Sequence, residues 1–151
     1  ALLEQEEPLP EGSPEETVQL FLGAVVDEDF ELAYTFLSSD LKERCPVERY
    51  ASGNVRVKSR LRDDRITLER TSTVRDTVFV TVRVTEFRGS GPFGPSEYSF
   101  PQEFELRQEV GRWRFTEYPW PSLRCGRFEP EPAVPRIPPT PTPAATSNLE
   151  S

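Results

Sequence analysis

The chain has 151 residues, 29% charged and 35% hydrophobic, with 10 Phe, 4 Tyr and 2 Trp, which is enough apolar matter for one compact domain. It contains no histidine, which excludes Ser-His-Asp, Cys-His and histidine–metal chemistry. The net charge is −8, yet residues 1–16 hold six acids and no base while residues 17–128 hold 17 acids and 17 bases, so the acidity belongs to the ends and the neutral body offers no field for nucleic acid.

No stretch approaches the roughly 18 consecutive apolar residues of a spanning helix. There is no methionine, so a segment ahead of residue 1 is expected to have been removed: a cleaved signal, a lipidated cysteine or a membrane anchor, the alternative being a boundary chosen when the stretch was cut from a longer chain. Residues 1–12 (ALLEQEEPLPEG) are acidic, proline-punctuated and aperiodic, and read as a flexible leader. Ser13 as N-cap, Pro14 as the first helical residue and Glu16 as the N3 partner then form a capping box. Val18, Phe21, Leu22 and Val25 follow on one helical face. Asp27-Glu28-Asp29 breaks this helix and caps a second, in which Leu32, Ala33, Phe36 and Leu37 share a face and which Ser38-Ser39-Asp40 ends. Pro46 opens a short third helix through Tyr50, stopped by Gly53-Asn54.

From residue 55 the apolar period changes from 3.6 to 2. Val55, Val57, Ser59 and Leu61 alternate with Arg56, Lys58, Arg60 and Arg62, and Ile66, Leu68 and Val74 mark a second strand. In the clearest strand, 76–87, Val78, Val80, Val82 and Val84 face one way and Phe79, Thr81, Arg83, Thr85 and Phe87 the other. Residues 88–96 (RGSGPFGPS) read as a loop too long for a tight hairpin. Tyr98, Phe100, Phe104 and Leu106 share a face of 97–109, where Pro101 argues for an edge or a bulge. Val110-Gly111 turns the chain into a last strand carrying Trp113 and Phe115. The segment 117–128 reads as a strap across the helices. Residues 129–151, with seven prolines, form a Pro/Thr-rich extended tail that packs no core of its own.

Helices first and then long antiparallel strands give an α+β fold: N-terminal helices on a strongly curved, mainly antiparallel sheet of about four to five strands. The domain spans 13–128, between the leader (1–12) and the tail. The stretch SPEETVQLFLGAVVDEDFELAYTFLSSDLKE resembles the first helices of the nuclear-transport-factor-2-like superfamily, a cystatin-like α+β cone. Its small secreted or lipoprotein members show a capped helix, an "xxDxxxAYxxLS" second helix, an alternating valine strand and a closing "GRWRF" strand. Here these are Ser13 onward, Asp29 to Ser38, Val78 to Val84 and Gly111 to Phe115. The resemblance implies a half-barrel with a pocket between helices and sheet, and little about activity.

The chemistry is sparse. Family enzymes that dehydrate or isomerise use a His–Asp pair, impossible here, or a Tyr/Asp set in an apolar cavity, for which Tyr34, Tyr50, Tyr98 and Asp40 are the supplies. No spacing singles these out, and no catalytic residue, cofactor or metal is assigned; Asp27-Glu28-Asp29 and Asp63-Asp64 lack EF-hand spacing. Cys45 and Cys125, the only two cysteines, read as one disulfide in an exported protein, the alternative being two unrelated reduced thiols. On a strand Arg56, Lys58, Arg60 and Arg62 would line one face, to meet an acidic partner, anionic lipid, the leader, or paired carboxylates of the sheet. Phe93, between glycines and prolines, is a contact point for another protein or a ring folded back on the domain. The expectation is a non-enzymatic extracytoplasmic interaction or accessory module with protein partners in the cell envelope, touching membrane only through the removed N-terminal anchor. The alternative is a binder of a small apolar ligand in the cone pocket.

Overall fold

A computed structural model describes residues 3–4, 8–55, 61–91, 94–122 and 125. In chain order the elements are β1 (Leu3–Glu4), α1 (Pro14–Val26), α2 (Phe30–Thr35), α3 (Ser39–Arg44), α4 (Val47–Asn54), β2 (Arg65–Val74), β3 (Thr77–Gly91), β4 (Gly94–Glu109) and β5 (Arg112–Phe115). The five strands form one sheet in sequence order. The β2–β5 strands are antiparallel, and β1 adds in parallel at one edge, Leu3 opposite Ile66 and Glu4 opposite Thr67. The fold is therefore α+β, as the sequence pattern demands. Part of the leader is built in: besides β1, Leu9 packs against the core and the Ser13 N–H donates to the Pro10 carbonyl at 3.2 Å.

Local chemistry accounts for the helices. The Ser13 hydroxyl accepts from the Glu16 N–H (3.1 Å), but the Glu16 carboxylate reaches back to the Gly12 N–H (2.8 Å), because the Ser13 N–H is already spent on Pro10. Asp29 caps α2 through the Leu32 N–H. This second helix is only six residues long, and its buried face is Phe30 and Ala33; Leu32, expected inside, is exposed. The serines after Leu37 do not merely end it. Ser38 caps a further helix, α3, by accepting from the Leu41 N–H (3.3 Å), so the described residues hold four named helices where the sequence pattern shows three.

Helix α1 buries Val18, Phe21, Leu22 and Val25 against the sheet, whose inner face carries Ile66, Val78, Val80, Val82, Val84, Phe104, Leu106 and Phe115. Each such side chain contributes on the order of 1.5–3 kcal/mol by leaving water. Three rings fill the middle of the concave side. Phe21 stands edge-on to Phe115 with centroids 5.1 Å apart, and Phe104 lies 5.8 Å from Phe115, all three almost wholly buried. Beyond β5 the sheet curls onto the helical layer: the Phe115 N–H donates to the Phe36 carbonyl (2.9 Å) and the Ser38 N–H to the Phe115 carbonyl (2.8 Å).

A bulge between Leu68 and Arg70 shifts the register of β2. After it Thr71 pairs with inward-facing Val80, and its hydroxyl donates to Glu15 of α1 (2.6 Å). Pro101 sits where its missing N–H costs nothing. The Glu105 carbonyl points away from β3, accepting from Thr116, and strand alternation puts Pro101 on that same side. There β4 has no neighbour, because β5 pairs only from Leu106 to Glu109. The 88–96 stretch is not a long loop: β3 continues to Gly91 and β4 begins at Gly94, and these two glycines pair. The alternation over 55–61 is not a strand at either end. Val55 has helical dihedrals (φ −61°, ψ −25°), and Leu61, wholly buried, is helical and leads into a turn in which the Asp64 N–H donates to its carbonyl; 56–60 lie outside the described residues.

Candidate functional site

The register of the sheet creates an opening. Pairing between β3 and β4 stops at Val78–Leu106, yet β4 runs on to Glu109 with only β5 beside it. The β2–β3 and β4–β5 hairpins thus part at one end of the sheet, and the start of α3 closes the third side. The cleft between them has a volume of about 720 Å³ and is lined by Arg75, Asp76, Arg107, Gln108, Glu109 and Trp113, among others. Arg107 donates across it to Asp76 at 2.9 Å.

All four carboxylates of the lining already accept a bond within the fold. Asp40 takes Arg44 (2.6 Å), Asp76 takes Arg107, and Glu105 takes the Thr116 hydroxyl (2.7 Å). Glu109 takes the Ser39 N–H (3.1 Å) and hydroxyl (3.3 Å), tying β4 to α3. By contrast, the Arg75 guanidinium, the Gln108 amide and the Trp113 indole N–H make no hydrogen bond or ion pair among the described residues. Arg75 is also conformationally unusual. It occupies the hairpin tip with φ +59°, a region where glycine, asparagine or aspartate is the ordinary choice. Beside the cleft, burial holds the Lys42 ammonium below its usual pKa, helped by Arg114 and opposed by Glu109. Burial and Arg112 lower Arg114 likewise.

The residues singled out from the sequence fall elsewhere. Cys45 and Cys125 form the disulfide, with Cα atoms 5.4 Å apart. It fastens the strap: Trp120 stands edge-on to Phe100 at 6.0 Å, and the Ser122 hydroxyl hydrogen-bonds the Tyr50 hydroxyl at 2.7 Å. Arg56, Lys58, Arg60 and Phe93 lie outside the described residues. Arg62 is described, exposed in a turn, with its guanidinium 3.9 Å from Glu28, so it belongs to no strand row.

The tyrosines have structural partners. Tyr34 donates to the Cys45 carbonyl (2.7 Å), and burial pushes the Tyr50 hydroxyl up to about 12. Tyr98 is half exposed on the β3–β4 arm. Among the described residues no helix is long and apolar enough to cross a membrane, and no group of three or more acids and cysteines is placed to hold a metal. Sequence reasoning missed Arg75, Gln108 and Trp113 as a group. The available signals were two-residue turns built from Arg-Asp and Val-Gly, where Asn-Gly or Asp-Gly is usual.

The profile of the Lipoprotein LpqB, N-terminal domain family matches residues 7–123. The chain belongs to that family. The match spans the described helices and strands from Pro8 to Ser122, the cleft among them. No curated protein matches the chain. Among solved structures, 28 chains match. One is the solution structure of a SEC-C motif containing protein from Rhodopseudomonas palustris, 18% identical, with TM-score 0.49, covering 70% of this chain and 77% of that one. Another is the crystal structure of a putative calcium/calmodulin dependent protein kinase II association domain from Xanthomonas campestris. It is 12% identical, with TM-score 0.43, covering 76% of this chain and 91% of that one. At these TM-scores neither likeness bears on the function of this LpqB N-terminal domain.

Proposed function

We propose that this LpqB N-terminal domain is a non-enzymatic accessory module of the cell envelope, held outside the cytoplasm by an anchor ahead of its leader and working through protein partners. The observation that carries the reading is the occupied concave side. In a nuclear-transport-factor-2-like cone, to which we assign the fold, that space is where a reaction site or an apolar ligand would sit; here Phe21, Phe104 and Phe115 stand in it. Tyr34 and Tyr50, the hydroxyls such a site would draw on, bond to Cys45 and to the strap. Membership of a lipoprotein family and the disulfide support the location. On this reading the Pro/Thr-rich tail, 129–151, is a spacer or a strap along a partner. The test is purification from native membranes in a gentle detergent, with mass spectrometry of what migrates with the chain. A stoichiometric complex, weakened when 129–151 are deleted, is expected; a chain that emerges alone in repeated preparations refutes the accessory reading.

A further inference from the structure

The cleft between the two hairpins has a chemistry that the module reading does not use. Of its 13 described lining residues only Val78 and Trp113 are apolar, so an apolar ligand would strand polar groups there. Asp40, Asp76, Glu105 and Glu109 outnumber Arg75 and Arg107, which disfavours a phosphate or a carboxylate. A cation would have to compete with Arg44 and Arg107, whose charges already hold Asp40 and Asp76. What remains on offer is forked and mixed: donors at Arg75, Gln108 and the Trp113 indole, spare acceptor lone pairs on the carboxylates and threonine hydroxyls, and the part of the half-buried Trp113 side chain that is not packed against the core.

Sugar hydroxyls both donate and accept, and the C–H faces of a pyranose ring present an apolar plane to an aromatic. A volume of about 720 Å³ lies within the usual range for small-ligand sites. Backbone strain at Arg75, in a turn that asparagine would make at lower cost, places at this opening a guanidinium with no partner among the described residues. We infer that the cleft binds a short neutral oligosaccharide, with Trp113 as the stacking surface and Arg75 as the principal donor.

The full chain with Trp120→Phe leaves Trp113 as its only tryptophan, and that substitution sits on the strap against Phe100, not in the cleft. Its emission is followed against maltotriose, cellotriose and chitotriose up to about 50 mM, which captures millimolar dissociation constants. At least one sugar is expected to give a saturating change. Arg75→Asn, which suits the positive φ and removes only the guanidinium, is expected to weaken it about tenfold or more without lowering the melting temperature. The inference is overturned if no trisaccharide saturates, if Arg75→Asn leaves the titration unchanged, or if only inorganic phosphate or a poly-glutamate peptide does saturate. None of these results bears on co-purification of a protein partner, so the module reading stands or falls separately.

Discussion

Val110 is the place where one substitution should separate backbone conformation from packing. It joins β4 to β5 in a two-residue turn with Gly111, Glu109 pairing with Arg112, and both turn residues have positive φ, +52° and +78°. That is the arrangement in which Asn-Gly is favoured and a β-branched residue is an outlier. The valine side chain is 102% exposed, so replacing it removes no buried contact. An L-residue in the left-handed region costs roughly 1–2 kcal/mol, and asparagine relieves a good part of that. Val110→Asn is therefore expected to stabilise the domain by about 1 kcal/mol, or about 4 °C in Tm for a chain of this size. Calorimetry and urea melts of the oxidised protein measure it. Val110→Ala supplies the contrast, since it removes the exposed apolar surface but gains no asparagine-like ease at positive φ. An asparagine variant no more stable than the parent, or an alanine variant that gains as much, refutes the reasoning. Gly111→Ala should go the other way by about 1 kcal/mol, purely from conformation, because no atom lies within 4 Å of where its Cβ would be.

Reduction of Cys45–Cys125, or the double change to serine, opens an 80-residue loop and should cost about 4 kcal/mol in the chain-entropy account. Urea midpoints with and without a phosphine reductant test this, and the double-serine protein should be insensitive to the reductant. Ser13→Ala deletes the cap of α1 and should cost about 1 kcal/mol by thermal melting, with little change in native circular dichroism. Burial raises Tyr50 to about 12 from an ordinary value of 10, so the folded chain holds this proton more tightly than the unfolded one. Stability is full below pH 10 and falls between pH 10 and 12 as the unfolded chain ionises first. Tyr50→Phe should lower stability at neutral pH, where the Ser122 hydroxyl loses its partner, and flatten that alkaline decline. Tyr34 and Tyr118, also raised by burial, should keep a residual slope.

Helix α1 and strand β3 were plain in the sequence because each repeats one signal many times: a capped start with four apolar residues at helical spacing, and four valines at alternate positions. Short elements carry too little repetition. Helix α2 has only six residues, and what decides that Phe30 rather than Leu32 turns inward is the layer it meets. Helix α3 offers Leu41 alone, and its only local announcement is the Ser38 cap. The β3–β4 arm runs through Gly89, Ser90 and Gly91, which show no periodicity, so strand there is set by pairing across the hairpin. Leu61 looked like one position of an alternating strand because burial in a helical turn leaves the same single apolar mark. The cleft was not legible at all. It exists because β3–β4 pairing stops at Val78–Leu106 while β4 runs on to Glu109, a property of register between segments about 30 residues apart.

The sulfur bridge also settles how the domain carries tension. A pull applied between the two ends of the chain passes from residue 45 to residue 125 through the bridge and skips everything between them. Helix α4, strands β2 to β5 and both hairpins hang from that junction as a closed covalent ring, outside the line of force. Among the described elements, β1 and helices α1 to α3 lie in series with the load. A module stretched between an anchor on one side and a partner on the other can lose its first helices to force and keep its sheet, while a reduced one would be drawn out from end to end.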